Sequence, residues 1–217
     1  MAITAFLFTG LTTWFAARQG MLDLPGERHS HTVPTPRGGG LGIVLAILLG
    51  AWLNPFFPST PAFWWHCLVP GFVTLALVGF LDDRFSLPII LRLLVQLTAS
   101  LYLLACGQQS GWAVDTWLWI AATLFLVWMT NLYNFMDGSN GMAAMQAVFA
   151  GLVMTILFYQ SGDTSSAMLA AILVSACAGF IPWNIGNARV FMGDVGSVSV
   201  GFLIAALLLY GVKQQTF

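Results

Sequence analysis

Residues 79–141 read GFLDDRFSLP, IILRLLVQLTASLYLLAC, GQQSG, WAVDTWLWIAATLFLVWMT and NLYNFMDGSNG. The two long apolar runs, Ile89–Cys106 and Trp112–Thr130, are each close to the roughly 20 residues an α-helix needs to cross a bilayer. The stretch therefore predicts two membrane helices joined by a short, uncharged connection. Antiparallel packing of such a pair returns the polar segments at their other ends, around Asp82 and Asn131, to the same side of the membrane.

The pattern continues in both directions. Apolar runs bounded by Gly, Pro and polar clusters also fall at Ala2–Ala17, Gly40–Leu53, Ala62–Leu81, Met142–Tyr159, Ser166–Trp183 and Val198–Val212. The expected fold is thus all-α, a polytopic helical bundle of about eight transmembrane helices. Gly40–Leu53 is short enough to be tilted or half-embedded. The whole chain of 217 residues is 59% hydrophobic and 7% charged, with mean hydropathy +0.85, far from the roughly 25% charge of a soluble domain. A net charge of −1 with a single lysine excludes nucleic-acid binding.

Four polar islands interrupt the spans: Asp23 to Gly40, Gly79 to Leu87, Asn131 to Gly141 and Asn184 to Ser197. Six of the eight acids lie in them, and six of the seven basic residues lie in or close beside them. Alternating the connections puts all four on one side, opposite Lys213. The excess of arginine there predicts a cytoplasmic side, with both chain ends outside. Trp64, Trp65, Trp112, Trp117 and Trp119 are expected as an aromatic belt near the outer surface. Cys67, Cys106 and Cys177 stand in separate apolar runs without metal-site spacing and read as small buried hydrophobes. His66 reads as an interfacial or core histidine. The N-terminus lacks a basic leader and a cleavage site, which predicts a first span and not a removable signal.

Aspartate within a span costs up to about 2.5–3.5 kcal/mol, so the pair Asp82–Asp83 at the end of one needs a reason. Negative charge at a helix C-terminus also opposes the macrodipole. Arg92, about one turn into the next span, should pair with a carboxylate, face a polar cleft, or snorkel to the surface. If the fifth span continues to Asp137, Asn131, Asn134 and Asp137 form one stripe of oxygen ligands suited to a hard cation such as Mg²⁺. Around Asp194, glycines allow close backbone approach, and Ser197 is placed to open the last helix, whose N-terminus favours phosphate. In the first loop, Arg37 and the glycines that follow it offer donors to phosphates. Aspartates, asparagines and arginines without a nucleophile motif fit charge-stabilised phosphoryl chemistry better than acyl transfer.

The ordered segments LDLPGERHSHTVPTPRGGG, GFLDDRFSLP, NLYNFMDGSNGMA and FMGDVGS resemble those of the polyprenyl-phosphate N-acetylhexosamine-1-phosphate transferases, glycosyltransferase family 4. The wording of the first two is nearest to the bacterial branch that initiates O-antigen. The resemblance implies one integral-membrane transferase domain over residues 1–217, in a bacterial inner membrane, with its active site facing the cytoplasm. It implies transfer of a sugar 1-phosphate from a UDP-N-acetylsugar to undecaprenyl phosphate, with Mg²⁺ or Mn²⁺ as cofactor, membrane lipid around it and homodimer formation left open. Asp194 and Asn134 match the metal-binding positions. Asp82, Asp83 and Asp194 are expected to be catalytic, with Asp82 as the base. Asn184, Asp137, Asn140 and Arg92 match the nucleotide-sugar end.

Two departures stand out. Ser86 occupies the third position of the DDxxD pattern that some members carry. Members of the family also continue beyond the helix after Asp194, so the resemblance implies that C-terminal helices and a loop are lacking here. Two other readings remain open at this level: an inactive remnant of such an enzyme, and an ion-coupled transporter, which the placement of the carboxylates at span ends disfavours.

Overall fold

A computed structural model describes residues 1–23, 34–53, 64–109 and 116–216. Eight α-helices run through them: α1 (Ala2–Arg18), α2 (Gly40–Leu53), α3 (Val69–Phe85), α4 (Ile89–Gln109), α5 (Thr116–Met136), α6 (Met142–Gln160), α7 (Thr164–Asn184) and α8 (Gly193–Lys213). One π-helical turn, Trp64–Leu68, leads into α3. A two-residue antiparallel ladder joins β1 (Leu22–Asp23) to β2 (Thr35–Pro36). Six segments are long and apolar enough to cross a membrane: His66–Phe85, Ile89–Gln108, Trp117–Met136, Met142–Gln160, Thr164–Asn184 and Gly193–Lys213. The expected polytopic bundle is therefore present, with α2, at 14 residues, the shortest of the eight helices in the described residues.

Helix α8 is the axis of the bundle. It packs against α2, α3, α5 and α6, and 83% of its span is buried. A helix that is apolar all round has no polar face to present to water, so burial on every side is its stable placement. Lipid gives little hydrophobic drive between helices, and close van der Waals packing must hold them. Gly79 serves this: a Cβ there would lie 2.5 Å from the backbone oxygen of Asp194, so only glycine lets α3 approach so closely. Outside the axis, α6 packs on α7, α7 on α1 and α2, and α4 bridges α3 and α5.

Several helices run further into the polar islands than hydropathy predicts. Helix α3 continues through Asp82, Asp83 and Arg84, and Ser86 then ends it with φ +50°. Helix α8 begins at Gly193, so Asp194 is in its first turn and Ser197 lies inside it. This corrects the expectation that Ser197 opens the helix; its hydroxyl donates to the Gly193 carbonyl at 3.0 Å. Helix α5 stops at Met136 and Asp137 follows in a turn.

Two further expectations change. Cys67 and Cys106 form a disulfide with Cα atoms 5.4 Å apart, whereas Cys177 is free and buried. The pairing was hidden because the two cysteines are 39 residues apart in sequence and meet only when α3 and α4 pack antiparallel. Trp64 is 1% exposed and packs against Tyr210 with ring centroids 4.7 Å apart, so it belongs to the core and not to a surface belt; Trp117, 81% exposed, fits the belt. His66 is exposed on the turn before α3. Arg28, His29, His31 and Trp112 lie outside the described residues.

Candidate active site

The C-terminal ends of α3 and α5 and the N-terminal ends of α4 and α8 meet at one end of the bundle, and the polar residues of three islands meet with them. Asp194 is the hub. Its Oδ1 accepts from Asn134 Nδ2 at 2.8 Å and its Oδ2 from Arg92 Nη1 at 2.9 Å. The same Arg92 nitrogen donates to Asp82 Oδ2 at 2.9 Å. Asp82 Oδ1 accepts the backbone N–H of Leu87 at 2.7 Å, which ties the carboxylate to the chain entering α4. The side chains of Asp82, Asp194 and Arg92 are 12%, 21% and 32% exposed, so these ion pairs are largely shielded from water and screened less than surface pairs.

Asp83 points the other way. Consecutive helical residues project about 100° apart, and here Asp82 faces α4 while Asp83 faces the start of α8. Asp83 Oδ1 and Oδ2 accept the backbone N–H groups of Asp194 and Val195 at 2.9 and 3.1 Å. Asp137 Oδ2 accepts from the Gly193 N–H at 3.1 Å. Three of the four amides that a helix N-terminus leaves unbonded are thus capped by carboxylates of this chain. The cost of acidic residues at the end of α3 is offset by the positive end of the α8 dipole. Gly193, with φ +71°, makes the approach feasible, since a Cβ there would sit 2.5 Å from Asp83 Oδ2. Burial, reinforced by the charges of Asp83 and Asp194, pushes Asp137 well above the usual carboxylate range, against the pull of the Gly193 amide and Arg37.

The remaining predicted residues form a frame around this centre. Asn184, 3% exposed, accepts the Gly141 N–H at 2.7 Å and donates to the Val190 carbonyl at 2.9 Å. Asn140 is exposed and donates to the Gly186 carbonyl at 2.7 Å. Both join the loop before α6 to the loop after α7. Asn131 leaves the expected stripe and pairs with Gln96 of α4, donating to its Oε1 at 2.5 Å. The first island docks through its backbone: Gly39 and Gly40 donate to Phe191 and Met192 carbonyls, and Phe191 donates to Pro36. The amides of those two glycines are therefore engaged with protein, contrary to the expectation that they serve phosphate. Arg37 pairs with Asp23 at 2.6 Å. Beside Asp83, an open cleft of about 540 Å³ is lined by Asp23, Arg37, Asp83, Arg84 and Ser86 among others.

Sequence reasoning missed the acceptor role of Ser197, whose Oγ takes a second hydrogen bond from Asn134 Nδ2 at 2.9 Å. Its spacing three residues after Asp194 on a helix was the available signal. As to a metal, no three Asp, Glu, His or Cys side chains converge on one point among the described residues. Two carboxylates, Asp82 and Asp194, do converge, and a guanidinium nitrogen lies between them. All the ligand atoms are oxygens and the position already attracts positive charge. That set suits Mg²⁺, which commonly takes one or two carboxylates and completes its shell with water and substrate phosphates.

The fold and site together define a multi-pass membrane protein with an anionic, arginine-bridged cluster at one end of its central helix. The chain belongs to glycosyl transferase family 4, whose model matches residues 65–212. It is 33% identical to the decaprenyl-phosphate N-acetylglucosaminephosphotransferase of Mycobacterium tuberculosis, over 94% of this chain and 57% of that protein. It is 26% identical to the undecaprenyl-phosphate alpha-N-acetylglucosaminyl 1-phosphate transferase of Escherichia coli, over 99% of this chain and 62% of that one. A probable undecaprenyl-phosphate N-acetylglucosaminyl 1-phosphate transferase of Bacillus subtilis is also 26% identical, over 98% and 62%. The chain thus spans roughly three-fifths of the length of these relatives.

Proposed function

We infer that this protein transfers an N-acetylhexosamine 1-phosphate from a UDP-sugar to a polyprenyl phosphate, undecaprenyl phosphate in bacteria, releasing UMP. The observation that carries this reading is the meeting of Asp82, Arg92, Asn134 and Asp194 at the mouth of the bundle, in a chain whose relatives are named for such transfers. N-acetylglucosamine is the sugar in those names, and it is the first donor to try.

In the proposed reaction a phosphate oxygen of the lipid attacks the phosphorus next to the sugar. The bond from that phosphorus to the bridging oxygen breaks, and its electron pair leaves with UMP. Asp82 stands where it can take a proton from the lipid phosphate, and Arg92 where it can turn a guanidinium edge to the diphosphate. Asn134 fixes the rotamer of Asp194 by donating to it, and Asp83 and Asp137 hold the helix that carries Asp194. Asp194 and Asn134, with Asp82 nearby, are the residues that would hold Mg²⁺, and the ion would supply charge neutralisation on the diphosphate. Direct attack needs only positioning and charge stabilisation, which is what these residue types supply.

On this reading the site end lies in the cytoplasm. The concentration of arginines there supports it, as does the disulfide Cys67–Cys106 at the other ends of α3 and α4, since a disulfide persists in an oxidising compartment. The test is UMP release by the purified full chain with a short-chain polyprenyl phosphate, Mg²⁺ and a panel of UDP-N-acetylsugars. Turnover that depends on both lipid phosphate and cation, and is abolished by Asp194→Asn, is expected. No UMP from any donor overturns the reading for this chain and supports an inactive relative.

A further inference from the structure

We propose that Arg92 is a resident counter-cation that competes with the divalent ion for Asp82 and Asp194, and is handed over to substrate phosphate when that ion binds. This rests on the proposed function for the identity of the ion and the phosphate, but the competition itself stands on the geometry of Arg92.

A single nitrogen, Nη1, lies 2.9 Å from Asp82 Oδ2 and 2.9 Å from Asp194 Oδ2. Mg²⁺ takes oxygens at about 2.0–2.1 Å, so an ion drawing on both carboxylates needs the space that Nη1 fills. Two positive groups cannot share that space; one must leave. Asp194 Oδ1 is already engaged by Asn134, which leaves Oδ2, the Arg92 oxygen, as the one to be exchanged.

A second observation concerns the rest of the guanidinium. Arg92 Nε is buried and, among the described residues, has no hydrogen-bond partner. A buried, unpaired charged donor is costly, because its desolvation goes uncompensated. It would be relieved by an acceptor oxygen on that edge of the fork. Nη1 is satisfied by two carboxylates while Nε is not, so this guanidinium is served on one side only. Release of Nη1 by an incoming cation frees the whole fork for a bidentate anion, the geometry in which arginine binds phosphate best.

The arrangement also explains why four carboxylates, Asp82, Asp83, Asp137 and Asp194, tolerate one another at one end of the bundle. Two are spent on amides at the start of α8. The other two share Arg92, and removing that charge leaves them to repel each other and to attract a dication more strongly. Ion binding should therefore become tighter when Arg92 is neutralised, the reverse of what a metal-positioning residue does.

The experiment uses the full chain in detergent, stripped with a chelator and titrated with Mn²⁺ alone, with free Mn²⁺ read by electron paramagnetic resonance. Arg92→Gln should bind Mn²⁺ about tenfold more tightly than the parent, a change of about 1.4 kcal/mol. Arg92→Lys, which keeps the charge, should stay near the parent value. Asp194→Asn, alone or with Arg92→Gln, should weaken binding at least about tenfold. Thermal melts should show Arg92→Gln less stable than the parent after chelation, with the larger gain on adding Mn²⁺. Unchanged or weaker Mn²⁺ binding by folded Arg92→Gln overturns the proposal, as does equal tightening by Arg92→Lys. These readouts need no turnover, so a failure of the transferase assay and a failure of the competition are distinguishable.

Discussion

Asp83 Oδ1 accepts the backbone N–H of Asp194 at 2.9 Å, joining two residues 111 positions apart. The second oxygen takes the next amide, so the end of α3 serves as the N-cap of α8. Asp83 is thereby a positioning residue: it sets where the first turn of α8 holds Asp194. Asp83→Ala leaves two helix-start amides without their carboxylate and is expected to cost about 1–3 kcal/mol of stability. Asp83→Asn keeps one acceptor and should fall between. Fluorescence-detected melting of the purified variants ranks the three, and equal melting of parent and Asp83→Ala contradicts the capping role.

Asn134 donates from one amide nitrogen to both Asp194 and Ser197. Loss of a partner that orients a metal ligand typically costs about 10- to 100-fold in activity. Asn134→Ala should reduce UMP release by that amount. Ser197→Ala removes only one of the two acceptors and leaves Asp194 bonded, so its loss should be several-fold smaller. Equal losses in the two variants argue that Ser197 has a direct role.

Asn184 and Asn140 both stood among the nucleotide-sugar candidates, yet their surroundings differ. Asn184 is buried with both ends of its amide bonded to backbone. Asn184→Ala strands an amide and a carbonyl, at about 1–3 kcal/mol each. Asn140→Ala, at an exposed hydrogen bond, should lower stability by less than about 1 kcal/mol. Melting temperatures decide this. A stable Asn184→Ala protein with a raised KM for the UDP-sugar points instead to direct contact with the nucleotide.

The disulfide predicts a labelling pattern. In denatured but unreduced protein only Cys177 should react with a maleimide-polyethylene glycol, giving one gel shift. Reduction should give three. The Cys67→Ser and Cys106→Ser double variant should lose about 2–4 kcal/mol of stability. Three shifts without reductant contradict the bridge and remove one support for the assigned orientation.

Much of the site could be read from the chain. Asp82 and Arg92 stand out by the cost of charge in or at the end of a span, Asn134 by its spacing with Asp137 and Asp194 by its flanking glycines, and the four meet. What failed was the assignment of backbone donors. Glycines at 38–40 and the start of α8 look like free phosphate cradles in sequence, but Phe191, Met192, Asp83 and Asp137 occupy amides of both. A sequence shows that amides are available locally; it does not show which distant carbonyl or carboxylate has claimed them.

Hydropathy and span length act over some 20 contiguous residues, so the sequence by itself determined a helical membrane bundle with its polar islands gathered at one end. The direction each polar side chain takes depends on interhelical register and on rotation about each helix axis. Those are set by close packing, such as Gly79 against Asp194, between residues far apart in the chain. The tertiary structure alone therefore separated neighbouring Asp82 and Asp83 into one carboxylate bridged to Asp194 by Arg92 and another that holds its helix in place.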